Sequence, residues 1–281
     1  MKNRTVLYTA NAGFFLAVNH ITLAVDAFPR KADRGFSALT QNDFEALCQR
    51  SDLGDVRYVI ATHDHPDHYS QRWTEQFLAT HPHARFIGAV REERSPFADD
   101  GPNTVSTASP LTSDPRPRPL LLHGDHPTYY LPGITLEFLR LPHEGEEFAA
   151  VANYGCLVTF AATKSVSPSS PHIVGAPTPA SSSGLCRVLF LGDAKPADPA
   201  IADWISGRSI DLALLNFPWI TLPKGRRFLE ASLPNTEIAV LHLPYEQEDR
   251  NHYNQAAEQT SRQWRPGHVT LLTSFGQTIR F

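Results

Sequence analysis

Sulfur is scarce in this chain: three cysteines and one methionine among 281 residues. Cys48, Cys156 and Cys186 are widely spaced and form no C-x-x-C pair, which excludes a disulfide framework and a structural zinc ribbon. Cys156 and Cys186 fall in apolar, strand-like runs, where a buried and unreactive thiol is expected. An excess of charge is also missing. With 25 basic and 29 acidic side chains the net charge is −4, which argues against the dense basic face that sequence-independent nucleic-acid binding needs. No apolar run approaches the roughly 20 residues of a membrane span. Residues 13–18 follow Lys2 and Arg4, but the run is shorter than a secretory-signal core. A reducing, cytoplasmic setting is expected.

What the chain does contain is a regular succession of short apolar runs. Strand-like segments cover 4–9, 13–18 and 21–27, the last two joined by an Asn19-His20 turn. Helical spacing follows at 41–50, a strand at 56–61, a helix at 70–78 and a strand at 84–90. Residues 91–131 lose periodicity and read as mostly irregular loop, with Ser/Thr-Pro steps and an Arg-Pro-Arg-Pro run. Strands resume at 134–141 and 154–160. Residues 163–185 are mainly Ser, Pro, Ala and Gly, a composition that cannot bury enough apolar surface to order itself, and they read as a mobile hairpin insertion. Beyond it come strands at 187–191, 211–216, 237–241 and 269–273, with helices at 225–231 and 251–264. Mixed strands followed by alternating strands and helices imply an α/β protein: two packed sheets with helices outside, in a single domain over 1–281.

One turn stands apart. Residues 62–68 read Thr-His-Asp-His-Pro-Asp-His, placing His63, His65, Asp67 and His68 within one short segment after an apolar strand. A metal site needs imidazole nitrogens and carboxylate oxygens converging from a rigid loop. His63 and His65 are two apart, so an extended backbone points both to one side. Pro66 then turns the chain, so that Asp67 and His68 project from the first turn of the following helix toward a second point. The bland alternative is a His-rich surface loop. Even with 13 histidines, the pattern is expected by accident only about once in a thousand such chains. A loop at the carboxyl end of a strand is also where α/β proteins place sites.

Two metal positions need further ligands. Three candidates each follow an apolar strand: His143 after 134–142, Asp193 after 188–192, and His242 after 238–241. Singly, each is an ordinary strand-end polar residue. Together with the loop, their order resembles the metallo-β-lactamase superfamily, in which H-x-H-x-D-H is followed by a lone His, an Asp after Gly, and a final His. The Asn11-Ala12-Gly13 hairpin ending at Val25-Asp26 is similar to that superfamily's opening strands, so the resemblance spans essentially the whole chain.

The resemblance implies a four-layer αβ/βα sandwich and two divalent metal ions, zinc first and manganese or iron otherwise. His63, His65 and His143 would hold one ion, Asp67, His68 and His242 the other, and Asp193 would bridge them. It implies a hydrolase in which a metal-bound hydroxide cleaves an ester, lactone, amide or phosphodiester, with Asp67 as proton acceptor or shuttle. His65 stands where FMN-linked di-iron members carry Glu, which favours hydrolysis. No cysteine matches the thiolate ligand of one antibiotic-hydrolysing class. Asp64 and the segment 143–155 look like the ascorbate-lactonase and N-acyl-phosphatidylethanolamine phospholipase branch. Two further readings use the same scaffold: a mononuclear iron dioxygenase acting on a persulfide, and a non-catalytic sensor or binding protein.

The expected partner is a small-molecule substrate, with no nucleic acid and no membrane span, and a homo-oligomer is compatible. For substrate contacts the sequence offers the Phe217-Pro218-Trp219 segment as a pocket wall, Arg226 or Arg227 for an anion, and Tyr245 or Lys195 to polarise an oxygen. The second His-rich cluster, His123-Gly124-Asp125-His126, precedes Pro127 without a strand-end setting and reads as turn chemistry. His20, His81, His83, His252 and His268 read as hairpin-turn, helix-end and polar-stretch residues.

Overall fold

The computed structural model describes residues 4–31, 35–53, 55–96, 117–161, 185–265 and 267–281. Two seven-stranded sheets face one another. The first runs β14 (Thr278–Arg280), β1 (Arg4–Tyr8), β2 (Phe14–Val18), β3 (Ile21–Val25), β4 (Val56–Ala61), β5 (Arg85–Gly88), β6 (Leu120–Leu121). The second runs β13 (Val269–Leu271), β12 (Glu237–Leu241), β11 (Leu212–Asn216), β10 (Cys186–Phe190), β9 (Asn153–Phe160), β8 (Ile134–Leu141), β7 (Thr128–Leu131).

Each sheet is antiparallel over one half and parallel over the other. A parallel step needs a crossover, and the crossovers here supply the outer layers. Helix α1 (Gln41–Cys48) joins β3 to β4, and α2 (Gln71–Thr80) joins β4 to β5. Helix α3 (Pro199–Ile205) joins β10 to β11, α4 (Pro218–Thr221) and α5 (Pro223–Ser232) join β11 to β12, and α6 (Tyr253–Trp264) joins β12 to β13. The result is the expected four-layer αβ/βα sandwich.

The sequence's period-two runs become two-sided strands. Val188, Phe190, Leu212, Leu214, Ala239 and Leu241 point between the sheets, while Leu189, Ala213, Leu215, Ile238 and Val240 point to the helices of the second sheet. Phe14 meets Phe190 across the inter-sheet core at 5.7 Å, and its neighbour Phe15 meets Phe77 of α2 at 5.9 Å on the opposite face. Helix α1 opens with a capping box, Asp43 N–H donating to Thr40 Oγ1 and Thr40 N–H to Asp43 Oδ2. Gly225 of α5 lies against the backbone of Trp219, where a Cβ would overlap the carbonyl oxygen. That close approach lets α4 and α5 pack.

Several boundaries differ from the sequence reading. Segment 91–131 is not all irregular: β6 and β7 form its last part and pair with β5 and β8. They are too short to show a period. Helix α3, helix α4 and strand β14 were likewise too short to register. Helix α2 begins at Gln71 behind its cap Ser70, so Asp67 and His68 belong to a separate turn and not to the helix. Segment 163–185 lies outside the described residues apart from its last position, as do residues 97–116. Cys156 and Cys186 are buried, and burial pushes the Cys156 thiol far above its ordinary pKa. Among the described residues no helix is long and apolar enough to cross a membrane.

Candidate metal centre

The ends of strands from both sheets meet at one edge of the sandwich. From the first sheet come Asp26, directly after β3, and the 62–68 turn, directly after β4. From the second come His143 after β8, Asn153 at the head of β9, Asp193 after β10 and His242 after β12. Four contacts fasten the loops together: Tyr154 N–H donates to Thr62 O (3.0 Å), Glu144 N–H to Asp193 O (2.8 Å), His242 N–H to Asn11 O (2.7 Å) and Asp193 N–H to Asn153 Oδ1 (3.1 Å). Asn11, Asp26 and His242 all carry positive φ (54°, 44° and 58°) without being glycine. Such backbone is held only where surrounding bonds over-determine it. Gly192, at φ 53°, faces Asn153 Oδ1, which a Cβ would overlap.

All seven sequence-predicted ligands come together. Two groups of side chains, His63–His65–His143 and Asp67–His68–His242, each bring their ligand atoms within 4.8 Å of one another. Asp193 Oδ2 lies between the groups, 4.0 Å from His63 Nε2, 3.6 Å from His143 Nε2, 3.3 Å from His68 Nε2 and 3.4 Å from His242 Nε2. A third group with metal-ligand spacing, Asp26–His63–His68, has another use. Asp26 Oδ1 accepts from Thr62 N–H (2.8 Å), and Asp26 Oδ2 accepts from Thr62 Oγ1 (2.6 Å) and sits 2.9 Å from His68 Nδ1.

The outer ring nitrogens are therefore committed. His68 Nδ1–H donates to Asp26, His63 Nδ1–H to Thr62 Oγ1 (3.0 Å), and His143 Nδ1–H to Glu144 O (2.6 Å). These bonds fix the tautomers and turn the Nε2 lone pairs inward, as carboxylate and carbonyl partners do for metal-ligating histidines. The Nε2 atoms of His63, His68, His143 and His242 and the Oδ1 of Asp193 are buried without a hydrogen-bond partner. Orphaned buried polar atoms are rare and costly. The four Nε2 atoms all lie within 4.0 Å of Asp193 Oδ2, an arrangement that fits bound cations.

The electrostatics divide the two groups. Burial, then the neighbouring imidazole of His68, hold His63 well below the ordinary imidazole pKa, and burial followed by His143 lowers His65. Burial opposes charge on His68 too, but Asp193 and Asp67 outweigh it and raise His68 well above its usual value. His242 is raised to about 9 against its own burial, chiefly by Asp193. Burial would raise Asp67 and Asp193, yet His68 and His242 hold both carboxyls below the usual carboxylate range. His63 and His65 thus favour the neutral donor form, while His68 and His242 favour positive charge beside the two carboxylates.

The substrate hints fare unevenly. Trp219 has no exposed surface and packs on Phe228 under the second sheet, so it walls no pocket. Tyr245 is buried between the sheets, with its hydroxyl donating to Thr9 O at 2.7 Å, which leaves no donor for a substrate oxygen. Arg226 donates to the carbonyls of Ile220 and Thr221, while Arg227 and Lys195 are exposed. The aromatic wall lies elsewhere. Half-buried Phe36 meets His242 at 4.1 Å and stacks with Tyr253, which stacks with Phe217; Phe148 meets His65 and His143 at 4.9 and 5.0 Å. Phe36 and Phe148 carry no sequence signal, because one lies on a loop and the other ends a single 3-10 turn, Glu146–Phe148. Asp26 had one, its strand-end position. His123, Asp125 and His126 are exposed, and His81 stacks on Phe77.

No protein-family model matches the chain, and no curated protein matches it. Solved structures do. The metallo-β-lactamase fold protein YhfI from Bacillus subtilis aligns with TM-score 0.56 and 12% identity, over 99% of each chain. An isothiocyanate hydrolase from Delia radicum gut bacteria aligns with TM-score 0.59 and 14% identity, also over 99% of each. CmlA, a diiron β-hydroxylase from Streptomyces venezuelae, aligns with TM-score 0.57 and 13% identity, over 100% of this chain and 55% of its own. The chain has the metallo-β-lactamase fold.

Proposed function

We propose that the chain, acting as one unit over 1–281, is a metal-dependent hydrolase holding two divalent ions. His63, His65 and His143 would bind one, Asp67, His68 and His242 the other, with Asp193 shared. The observation that carries this reading is the pair of ligand-spaced groups flanking Asp193 Oδ2, whose four facing Nε2 atoms are buried without a hydrogen-bond partner. The nitrogen and oxygen donor set, rich in imidazole and free of thiolate, suits zinc first and manganese or iron after it. Bound there, the ions would acidify a water to a pKa of roughly 7 and polarise the scissile bond.

The chain's own groups do the rest. Asp67 Oδ2 accepts from Asn11 Nδ2 at 3.1 Å and lies 3.7 Å from His242 Nε2. Held ionised, it is placed to take the proton of the attacking water and return it to the leaving group. Asp26, through His68, and Thr62, through His63, keep those rings in register. An ester, lactone, amide or phosphodiester meets this chemistry, and the isothiocyanate hydrolase neighbour adds isothiocyanates to the electrophiles to test. The fold's use by a diiron hydroxylase keeps iron-dependent oxygen chemistry as the second reading, with an iron persulfide dioxygenase as its mononuclear form.

Protein from metal-supplemented culture should carry two zinc or manganese ions per chain by plasma mass spectrometry. Asp67→Asn should keep most of its metal and lose on the order of 10²–10⁴-fold in turnover, the span of a general acid–base contribution. Full activity in Asp67→Asn removes its assigned role. Metal-free protein overturns the hydrolase, and one iron per chain with oxygen uptake favours the second reading.

A further inference from the structure

Beside the metal loop lies a concave site that the proposed chemistry does not use. A pocket of about 380 Å³ opens next to Pro66, the residue between His65 and Asp67, and is lined by Arg30, Lys31, Arg72 and Arg94 against a single acid, Glu75. In a chain of net charge −4, this is a local reversal of sign. Arg30, Lys31 and Arg72 are exposed and have no ion-pair partner among the described residues. Arg94 is preorganised: its Nη1 lies 2.5 Å from Asp64 Oδ1, and its guanidinium sits 5.6 Å from the Tyr69 ring centroid. The pocket also lies at the amino end of α2, whose second residue is Arg72, where the helix's positive partial charge adds to the field.

A solvated basic face is the ordinary fate of such side chains. Two features separate this one. The cations surround a cavity of a size that holds a small ligand, and the loop that forms one wall is the loop that supplies four metal ligands. Guanidinium groups match the geometry of phosphate and carboxylate oxygens.

We infer that this pocket binds the anionic arm, phosphate or carboxylate, of the molecule whose neutral bond lies over the metal centre. The inference rests on the metallohydrolase reading for the second half of that statement only, because anion binding can be measured without turnover. Inorganic phosphate titrated calorimetrically into the metal-loaded protein is the probe. The Arg30→Ala/Arg72→Ala double variant should bind it roughly tenfold more weakly or worse, about the worth of one charge-assisted hydrogen bond, with its metal content unchanged.

Phosphate held by the metals alone is distinguished by arginine labelling with phenylglyoxal. In the wild type, phosphate should protect Arg30 and Arg72 while exposed Arg227 stays reactive. Equal phosphate affinity in the double variant, or no protection at Arg30 and Arg72, overturns the anion pocket and leaves the metal assignment untouched. Loss of metal in the unmodified protein overturns the hydrolase and leaves the anion pocket standing.

Discussion

The two sheets contribute to the same centre in different ways. The first delivers four of its proposed ligands in one unbroken turn after β4, with Asp26 of the neighbouring strand behind it. The second delivers His143, Asp193 and His242 singly, from the ends of β8, β10 and β12. Their outer layers differ as well. Against α1 and α2 the first sheet packs aromatics: Phe28 on Phe77 at 4.6 Å, Phe44 stacked on Trp73 at 4.8 Å. Under α3–α6 the second packs mostly aliphatics, Leu139, Leu157, Leu189, Ile201 and Val240 among them. A contiguous turn moves as one body, so its ligands keep their spacing if a neighbour is lost. Ligands on separate strands keep theirs only if the sheet does.

The sharpest test of this contrast sets Asp193→Ala against His65→Ala. Asp193 stands within 4.0 Å of four imidazole nitrogens, so its removal should strip metal and lower turnover on the order of a thousandfold. His65 is half-buried and belongs to one group; its loss should be the milder, read by metal analysis and kinetics side by side. The reverse order would break the comparison. Next, Phe77→Ala should destabilise by about 4 kcal/mol and Leu157→Ala by about 3 kcal/mol in denaturant unfolding, both within the range for large-to-small core changes. Equal midpoints would remove the distinction between the outer layers. Asp26→Asn keeps the shape of the partner behind His68 but not its charge, and should weaken metal affinity by roughly 10–100-fold, measured by competition with a chromogenic chelator. Smallest, Thr40→Ala removes the α1 cap and should cost about 1 kcal/mol, with metal binding unchanged.

The same contrast explains what was legible in the sequence. The 62–68 turn announced itself, because four candidate ligands in seven residues form a pattern that spacing alone can expose. His143, Asp193 and His242 had no pattern of their own and were found through their order relative to the turn. Phe36 and Phe148 could not be read, since an aromatic set against an imidazole from a connecting segment depends on where distant strands deliver the two. Trp219 misled for the converse reason. It follows a strand near the site in sequence, but Pro218 starts a helix that turns it under the sheet. The long two-sided strands were clear from periodicity, whereas β6, β7 and β14 have two to four residues each and depend on a partner already in place.

The bonds around Asn11 tie the opening of the chain to its far end. Asn11 holds Asp67 by its side chain and His242 by its carbonyl, and the nearby Tyr245–Thr9 bond spans 236 positions. The three cysteines are all free, so no covalent link reinforces that closure. An ion gripped at once by residues 67, 68 and 242 would serve as the missing cross-link, closing a loop whose entropy a disulfide would otherwise restrict. Metal would then be a folding ligand as much as a reagent, stabilising the chain in proportion to the logarithm of its free concentration. A chelator should lower the unfolding temperature of the whole sandwich as well as stop its chemistry.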